Sequence, residues 1–253
     1  MIGIATTFFW IFLIAFFVSA VYSVKDVHFD FGGPQVSLTA DNEMVFSLPV
    51  SITNRGFYNI GSFNISTEIS DKEGFTITRG STFIPVINKN DVATVTHNMT
   101  IDFNGLLQRD QNYLLNDTEL KIYEAVSMRI ADVIPVQAST NFSMPWGAPL
   151  YNFSLAEPAY APYNLTHFRV TVPISFENHA FFDLVGDMQI RMYNSTGARV
   201  GWARTSLEGY ANSPYKGFIE FYVSMTGTTP TGRFEVYFST SVFDYGPLVI
   251  HYG

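Results

Sequence analysis

Seven asparagines stand in Asn-x-Ser/Thr triplets, the acceptor pattern for N-linked glycosylation, and none has proline in the middle position. A glycan joins such an asparagine only in a glycosylating compartment, so this number favours a surface outside the cytosol. The alternative is that Asn, Ser and Thr cluster because all three favour turns and strand edges. The glycosylation candidates are Asn64, Asn98, Asn116, Asn141, Asn152, Asn164 and Asn194.

Histidines are the other side chains with catalytic or metal-binding chemistry, but they are scattered and show no i, i+4 spacing. The chain has no cysteine, which excludes thiolate catalysis and Cys-based metal sites, and it lacks nucleophile-elbow, P-loop and dinucleotide-binding motifs. The sequence therefore predicts a protein that is not an enzyme, with no catalytic residue, cofactor or metal. The histidines are His28, His97, His167, His179 and His251.

The first 23 residues, MIGIATTFFWIFLIAFFVSAVYS, contain no Asp, Glu, Lys or Arg. About twenty apolar residues suffice for a helix to cross a bilayer. We expect a transmembrane helix or signal anchor over 1–23, and a cleaved secretory signal is the alternative. The bulk of the chain would then be extracytoplasmic and held at the cell membrane by a single pass.

Composition favours a β-rich protein that does not bind nucleic acid. The chain has 24 Phe and 14 Tyr, residue types that suit half-buried strands. Its net charge of −8 repels phosphate backbones, and no Lys/Arg cluster offsets it.

Two stretches repeat a pattern at an offset of 124 residues: LPVSITNRGFYNI from Leu48 and VPISFENHAFFDL from Val172. Constant register over some thirty residues indicates an internal duplication. The pairs at this offset are Phe29 with Phe153, Pro34 with Pro158, Pro49 with Pro173, Asn54 with Asn178 and Phe57 with Phe181.

The duplication predicts two tandem domains, 24–144 and 150–253. The link between them is 145–149, where Pro145, Gly147 and Pro149 oppose a continuing helix or central strand. We expect so short a link to hold the domains close, with Trp146 buried between them.

Apolar and polar residues alternate with period two on both sides of this link, which predicts strands. DKEG (71–74) and NSTG (194–197) each follow a strand and predict equivalent turns. The segment from Leu120 to Val136 fits either a helix or a strand, and Pro135 is expected to end it in both cases.

The repeated residues are interpreted as structural. Asn54 and Asn178 follow a strand, where a short amide can bond nearby backbone groups at a bend. The aromatic pairs that begin at Phe57 and Phe181 are expected to re-enter the core. Pro49 and Pro173 lack an N–H, which places them at an edge strand or bulge.

FSLPVSITN and VTVPISFEN, each an alternating strand that runs into an Asn, resemble the late-embryogenesis-abundant type 2 domain, also called WHy (water stress and hypersensitive response). The Pro-Asn that commonly follows in that family is replaced by Arg55-Gly56 and His179-Ala180. The resemblance implies two antiparallel β-sandwiches of immunoglobulin or fibronectin character in a membrane-anchored, archaeal-like protein. It further implies desiccation protection or binding of lipid in an apolar groove.

The first functional hypothesis is thus a membrane-anchored β-sandwich protein that binds lipid or another apolar ligand, or that protects the cell envelope. It predicts an apolar cleft open to solvent. The alternatives are a structural or adhesive surface subunit, which associates with itself or with envelope proteins through sheet edges, and an accessory subunit of a membrane complex, with contacts along Phe8 to Phe17.

Overall fold

The computed structural model describes residues 2–33, 35–39 and 43–253, with side chains described for 10–33, 35–37, 39 and 43–253. Pro34 of the repeat lies outside the described residues. The chain is mainly β: one long helix, α1 (Ile2–Val24), precedes a series of strands that form antiparallel sheets.

The chain divides into two compact units. The first consists mainly of Met1–Ser37, Met44–Ile101 and Leu120–Met144, and the second of Asp102–Glu119 and Pro145–Gly253. The sequence interpretation assigned all of 24–144 to the first domain, whereas Asp102–Glu119 groups with the second unit.

In the first unit, two sheets share one core. β3 pairs with β1, β2 and β6 in one sheet, and the order in the other is β5-β4-β7-β8. The strands are β1 (Val27–Phe31), β2 (Gln35–Leu38), β3 (Glu43–Asn54), β4 (Ile60–Asp71), β5 (Thr76–Ile87), β6 (Val92–Asp102), β7 (Thr118–Ile130) and β8 (Ile134–Trp146).

Alternate residues of both sheets bury their side chains in a common cluster that includes Ile52 of β3, Ile65 of β4 and Met128 of β7. Two sheets that bury facing sides in this way have the character of a β-sandwich.

The second unit contains eight strands within its described residues, and these pair in the same pattern. β11 pairs with β9, β10 and β14, and the order in the other sheet is β13-β12-β15-β16. The elements are α2 (Phe103–Arg109), α3 (Asn112–Leu115), β9 (Tyr151–Leu155), β10 (Ala159–Pro162), β11 (His167–Asn178), β12 (Leu184–Asn194), β13 (Arg199–Gly209), β14 (Ser213–Ser224), β15 (Gly232–Thr240) and β16 (Asp244–Tyr252). β9, β10 and β11 follow β1, β2 and β3 at the offset of 124 residues at both ends.

The last turns of α1 pack into the first unit. Ala20 belongs to its buried core, and Ser23 accepts a hydrogen bond at 2.9 Å from the backbone N–H of Phe57. Ser19 lies 2.7 Å from the hydroxyl of Tyr58.

Among the residues that the structure describes, no helix is both long and apolar enough to cross a membrane. The spanning helix expected over 1–23 therefore has no support from this finding and stays a prediction.

Residues 145–149 do not all form a link between domains. β8 continues through Pro145 to Trp146, which is possible because β8 is the last strand of its sheet and a proline at an edge costs no ladder bond. Trp146 is buried within the second unit, where its indole N–H donates to the carbonyl of Tyr113 at 2.9 Å. Trp146 was expected to be buried between the two domains; instead it packs within the second unit.

The ambiguous segment from Leu120 onward forms strands. A turn at 131–133 ends β7, and Pro135 lies inside β8 rather than ending the preceding element. Both predicted hairpin turns are present: the side chains of Asp71 and Asn194 accept backbone N–H groups at the turn, and Gly74 and Gly197 adopt positive φ angles of 89° and 83°.

Candidate functional site

The repeated asparagines hold equivalent turns. The side-chain nitrogen of Asn54 lies 3.0–3.2 Å from the carbonyl oxygens of Tyr58, Ile87 and Asn88, and its side-chain oxygen accepts the N–H of Gly56. The corresponding nitrogen of Asn178 donates to the carbonyls of Phe182 and Gly209, and its oxygen accepts the N–H of Ala180. Both asparagines are fully buried.

The aromatic residues after these asparagines differ from expectation. Phe57 is 56% exposed and Phe181 is 48% exposed, so neither re-enters the core. The turn folds the backbone so that Gly56 and Ala180 face inward next to the asparagine. The second member of each aromatic pair packs inward: Tyr58 lies against the core cluster, and the ring of Phe182 lies 5.5 Å from that of buried Phe103. Full burial resumes at Ile60 and Leu184, where the next strand begins.

Pro49 and Pro173 lie in central strands, so their expected place at an edge or bulge is wrong. One side of β3 is flanked by the short strands β1 and β2, and one side of β11 by the short strands β9 and β10. Each proline faces the gap between these two short strands. The carbonyl of Pro173 accepts the N–H of Ala156, just past the end of β9, and the carbonyl of Pro49 accepts that of Gly32. Because N and O of one strand residue face the same side, the missing N–H points into the gap and costs no ladder bond.

The sequons differ in accessibility. Asn64 and Asn194 are half-buried, and the side-chain nitrogen of Asn194 donates to the carbonyl of Gly227 at 3.0 Å. The other five are exposed: Asn98, Asn116, Asn141, Asn152 and Asn164.

An apolar groove opens along one side of the first unit. We call it the β8 groove; it lies between the inner faces of β7 and β8 and those of β1, β3 and β6 in the other sheet. One end is a hollow of about 220 Å³ with an entirely apolar lining. Its lining residues are Phe29, Phe31, Ile65, Val126, Met128, Val136 and Ala138.

A second hollow of about 170 Å³ continues the β8 groove along the same strands. Val126 and Met128 line the first hollow. Glu124 and Ile122, which lie one and two alternate positions before Val126 on the same face of β7, line the second. Phe142 of β8 lines the second hollow and is 47% exposed. The two hollows therefore lie end to end on one open side of the β-sandwich.

The equivalent side of the second unit is filled by its own side chains. Leu248 and Tyr252 of β16, the strand that corresponds to β8, are 8% and 5% exposed. The Tyr252 ring lies 4.8 Å from that of Phe234, and its hydroxyl donates to the carbonyl of Tyr193 at 3.0 Å. The open groove is thus a difference between two otherwise matching repeats.

His97 lies in the second hollow of the β8 groove and is 2% exposed. Its ring nitrogens lie 3.0 Å and 2.9 Å from the hydroxyl oxygens of Thr67 and Thr82. Burial lowers the pKa of His97, and the nearby carboxylate of Glu124 only partly opposes this. The groove therefore contains a neutral histidine at neutral pH.

His179, in the second unit, has the opposite environment. It lies between two carboxylates, 2.7 Å from Asp117 and 3.0 Å from Glu177, and its ring stacks on Tyr151. Hydrogen bonds to Asp117 and then to Glu177 raise the pKa of His179.

These two histidines predict opposite pH dependences of stability. The depressed pKa of His97 gives stability that is present above the unfolded value of about 6.5 and is lost as pH falls through the folded pKa. The raised pKa of His179 gives stability that is present below about 6.5 and is lost as pH rises through the folded pKa. We expect His97→Gln to flatten the acid side of a plot of Tm against pH, and His179→Gln to flatten the alkaline side. Identical profiles for the two variants would contradict this assignment.

Among the described residues, no three His, Asp or Glu side chains are arranged to hold a metal ion.

Sequence reasoning missed the β8 groove, although its residues were within the predicted strands. It also missed α2 and α3; the signal for α2 is Asp102, whose carboxylate caps the helix by accepting the N–H of Gly105.

Comparison with known proteins gives little further information. No protein-family model and no curated protein matches this sequence. The designated ApaA protein from Bordetella pertussis is 13% identical with a TM-score of 0.31, over 47% of this chain and 92% of that chain. A structural-genomics target solved by X-ray methods is 14% identical with a TM-score of 0.32, over 49% and 88% of the two chains. Red sea bream transglutaminase is 11% identical with a TM-score of 0.30, over 90% of this chain and 31% of that chain.

Proposed function

We propose that this is a non-enzymatic, membrane-anchored extracytoplasmic protein whose first unit binds an apolar ligand, such as a lipid acyl chain, in the β8 groove. The observation that carries the proposal is the apolar, solvent-open groove in one repeat, at the place where the other repeat is filled. Binding sites for small molecules are concave and mostly apolar, with few polar groups.

The size and lining of the groove indicate the ligand class. Its hollows, of about 220 and 170 Å³, are small and lie end to end, which suits a linear apolar chain better than a bulky ring system. His97 and Glu124 are the titratable residues in the lining of the second hollow, so a polar group of the ligand would be placed there.

The rest of the proposal rests on the sequence. The uncharged residues 1–23 supply a membrane anchor, and the exposed sequons outside β8 supply glycosylation in an extracytoplasmic compartment. The proposal includes two tandem sandwich domains of late-embryogenesis-abundant type 2 character, consistent with the matching strand pairing of the two units.

Filling the first hollow of the β8 groove should weaken binding of the ligand. We expect purified full chain to release an apolar molecule on solvent extraction and to bind a fluorescent fatty acid. Ala138→Trp places a large ring in the first hollow and should weaken that binding at least tenfold, an increase of about 1.4 kcal/mol in the free energy of binding. Gln137→Trp, on the opposite face of the same strand, is the matched control and should leave the affinity unchanged.

Wild-type chain that contains no extractable apolar molecule and binds no probe would contradict the proposed ligand. Mass spectrometry of the same preparation from a glycosylating host, with no glycan at any exposed sequon, would contradict the proposed compartment.

A second candidate function is a self-associating surface subunit, and the exposure of β8 favours it. β8 lies at the edge of its sheet, and its residues 137–143 are exposed.

A further inference from the structure

β8 has features that sheet edges in monomeric proteins rarely combine. It is 13 residues long and contains no Asp, Glu, Lys, Arg or His. Among the described residues it is the last strand of the order β5-β4-β7-β8. The outer backbone N–H and C=O groups of such a strand form a template for another strand, which proteins normally block with charge, proline or a bulge.

The corresponding edge of the second unit is blocked. β16 begins with Asp244, contains Pro247 near its middle and carries His251 close to its end. Its pairing with β15 also shifts register between Val236 and Phe238. β8 has its two prolines, Pro135 and Pro145, near its ends, so the nine residues between them are left suitable for pairing, unlike the edge of β16.

The sequence of β8 is suited to pairing with itself. Pro135 and Pro145 are each five residues from Thr140, so an antiparallel pair centred on Thr140 would place the prolines opposite each other at its two ends. Between them the facing residues would be Val136 with Met144, Gln137 with Ser143, Ala138 with Phe142, Ser139 with Asn141, and Thr140 with its own copy.

These facing pairs are complementary in size and polarity. On the inner face, small Ala138 meets large Phe142. Thr140, also on the inner face, meets a second threonine on the axis, which is a favourable cross-strand pair. The outer-face pairs are polar throughout. No charge faces a like charge, so self-pairing carries no electrostatic cost.

We propose that β8 is a homodimerisation edge, where two copies of this chain pair antiparallel about a twofold axis at Thr140. Such an isologous contact joins the two four-stranded sheets into one of eight strands. Phe142 of each copy, 47% exposed in the single chain, then packs beside Ala138 of the other copy. This contact does not depend on whether the β8 groove binds a ligand.

The absence of cysteine allows a direct test with the full chain in mild detergent. The chain is made in a non-glycosylating host, because a glycan on Asn141 would stand beside the axis. Residues that face each other in an antiparallel pair have Cα atoms about 4.5–5.5 Å apart, within the reach of a disulfide. Thr140→Cys should therefore form a covalent dimer on mild oxidation.

Matched positions test the register. Gln137→Cys alone should not cross-link, because its two copies lie about 20 Å apart along the pair. A mixture of Gln137→Cys and Ser143→Cys chains should give the heterodimer. Thr140→Lys should weaken dimerisation at least tenfold in sedimentation velocity, because like charges then meet on the axis, whereas Thr140→Val should not.

A wild-type chain that sediments as a monomer, or a dimer that Thr140→Cys does not cross-link, would overturn the proposal. Fatty-acid binding measured on the same wild-type preparation separates this result from a failure of the proposed ligand, since the probe reports on the hollows of each chain and sedimentation on the contact between chains.

Discussion

Asn54→Ala is expected to lower the free energy of unfolding of the first unit by about 3–4 kcal/mol, one of the largest effects available from a single polar side chain. The substitution removes the donor that serves the carbonyls of Tyr58, Ile87 and Asn88 and the acceptor for the N–H of Gly56. Because Asn54 is fully buried, water cannot replace these bonds, and each unsatisfied buried group costs about 1–3 kcal/mol.

Asn178→Ala should destabilise the second unit for the same reason. Its side-chain nitrogen serves two carbonyls instead of three, so we expect a somewhat smaller loss, of about 2–3 kcal/mol. Urea unfolding measures both variants, and hydrogen exchange shows which unit loses protection. Asn98→Ala, at an exposed strand position, is the control and should stay within about 0.5 kcal/mol of wild type.

An alternative is that these asparagines serve to bind a ligand. Their variants would then keep wild-type stability and lose binding of the fatty-acid probe. Loss of stability in Asn54→Ala and Asn178→Ala, with Asn98→Ala unaffected, excludes that alternative.

The repeated asparagines could be predicted from sequence because some of their partners are local, whereas their bonds to the carbonyls of Ile87, Asn88 and Gly209 could not. Asn54 and Asn178 bond backbone groups within four residues and at the start or end of neighbouring strands, and a short amide after a strand is typical of that role. The hairpin turns at Asp71 and Asn194 were predictable for the same reason.

The positions of Phe57 and Phe181 could not be predicted in this way. Period-two alternation gives the face of a residue within a strand, but these two residues lie in a turn, where the backbone path decides exposure. Pro49 and Pro173 show a related limit, because a proline is tolerated in a central strand only if the neighbouring strand is interrupted beside it.

The β8 groove lies further beyond sequence reasoning. β8 and β16 both alternate, and both end their sheets, yet the inner face of β16 is buried while that of β8 is exposed at Ala138, Thr140 and Phe142. Whether an inner face is covered depends on side chains from other strands, such as Phe234 of β15, whose ring lies 4.8 Å from that of Tyr252 of β16. Such contacts cannot be read from local pattern.

Trp146→Ala is expected to destabilise the second unit by about 3–5 kcal/mol, as large-to-small substitutions of buried aromatic residues do. Trp146 is 3% exposed, and its ring lies 5.4 Å from that of Phe103 and 6.4 Å from that of Tyr113. These contacts join the end of β8 to α2 and α3, so the loss should appear first as faster hydrogen exchange in Phe103–Arg109 and Asn112–Leu115.

Trp146→Phe separates packing from hydrogen bonding. It keeps most of the ring but leaves the buried carbonyl of Tyr113 without the indole donor, so we expect a smaller loss of about 1–3 kcal/mol. Trp202→Ala, at a site that is 57% exposed, is the control and should change stability little. Unchanged hydrogen exchange in α2 and α3 of Trp146→Ala would contradict the prediction that this tryptophan holds the two helices in place.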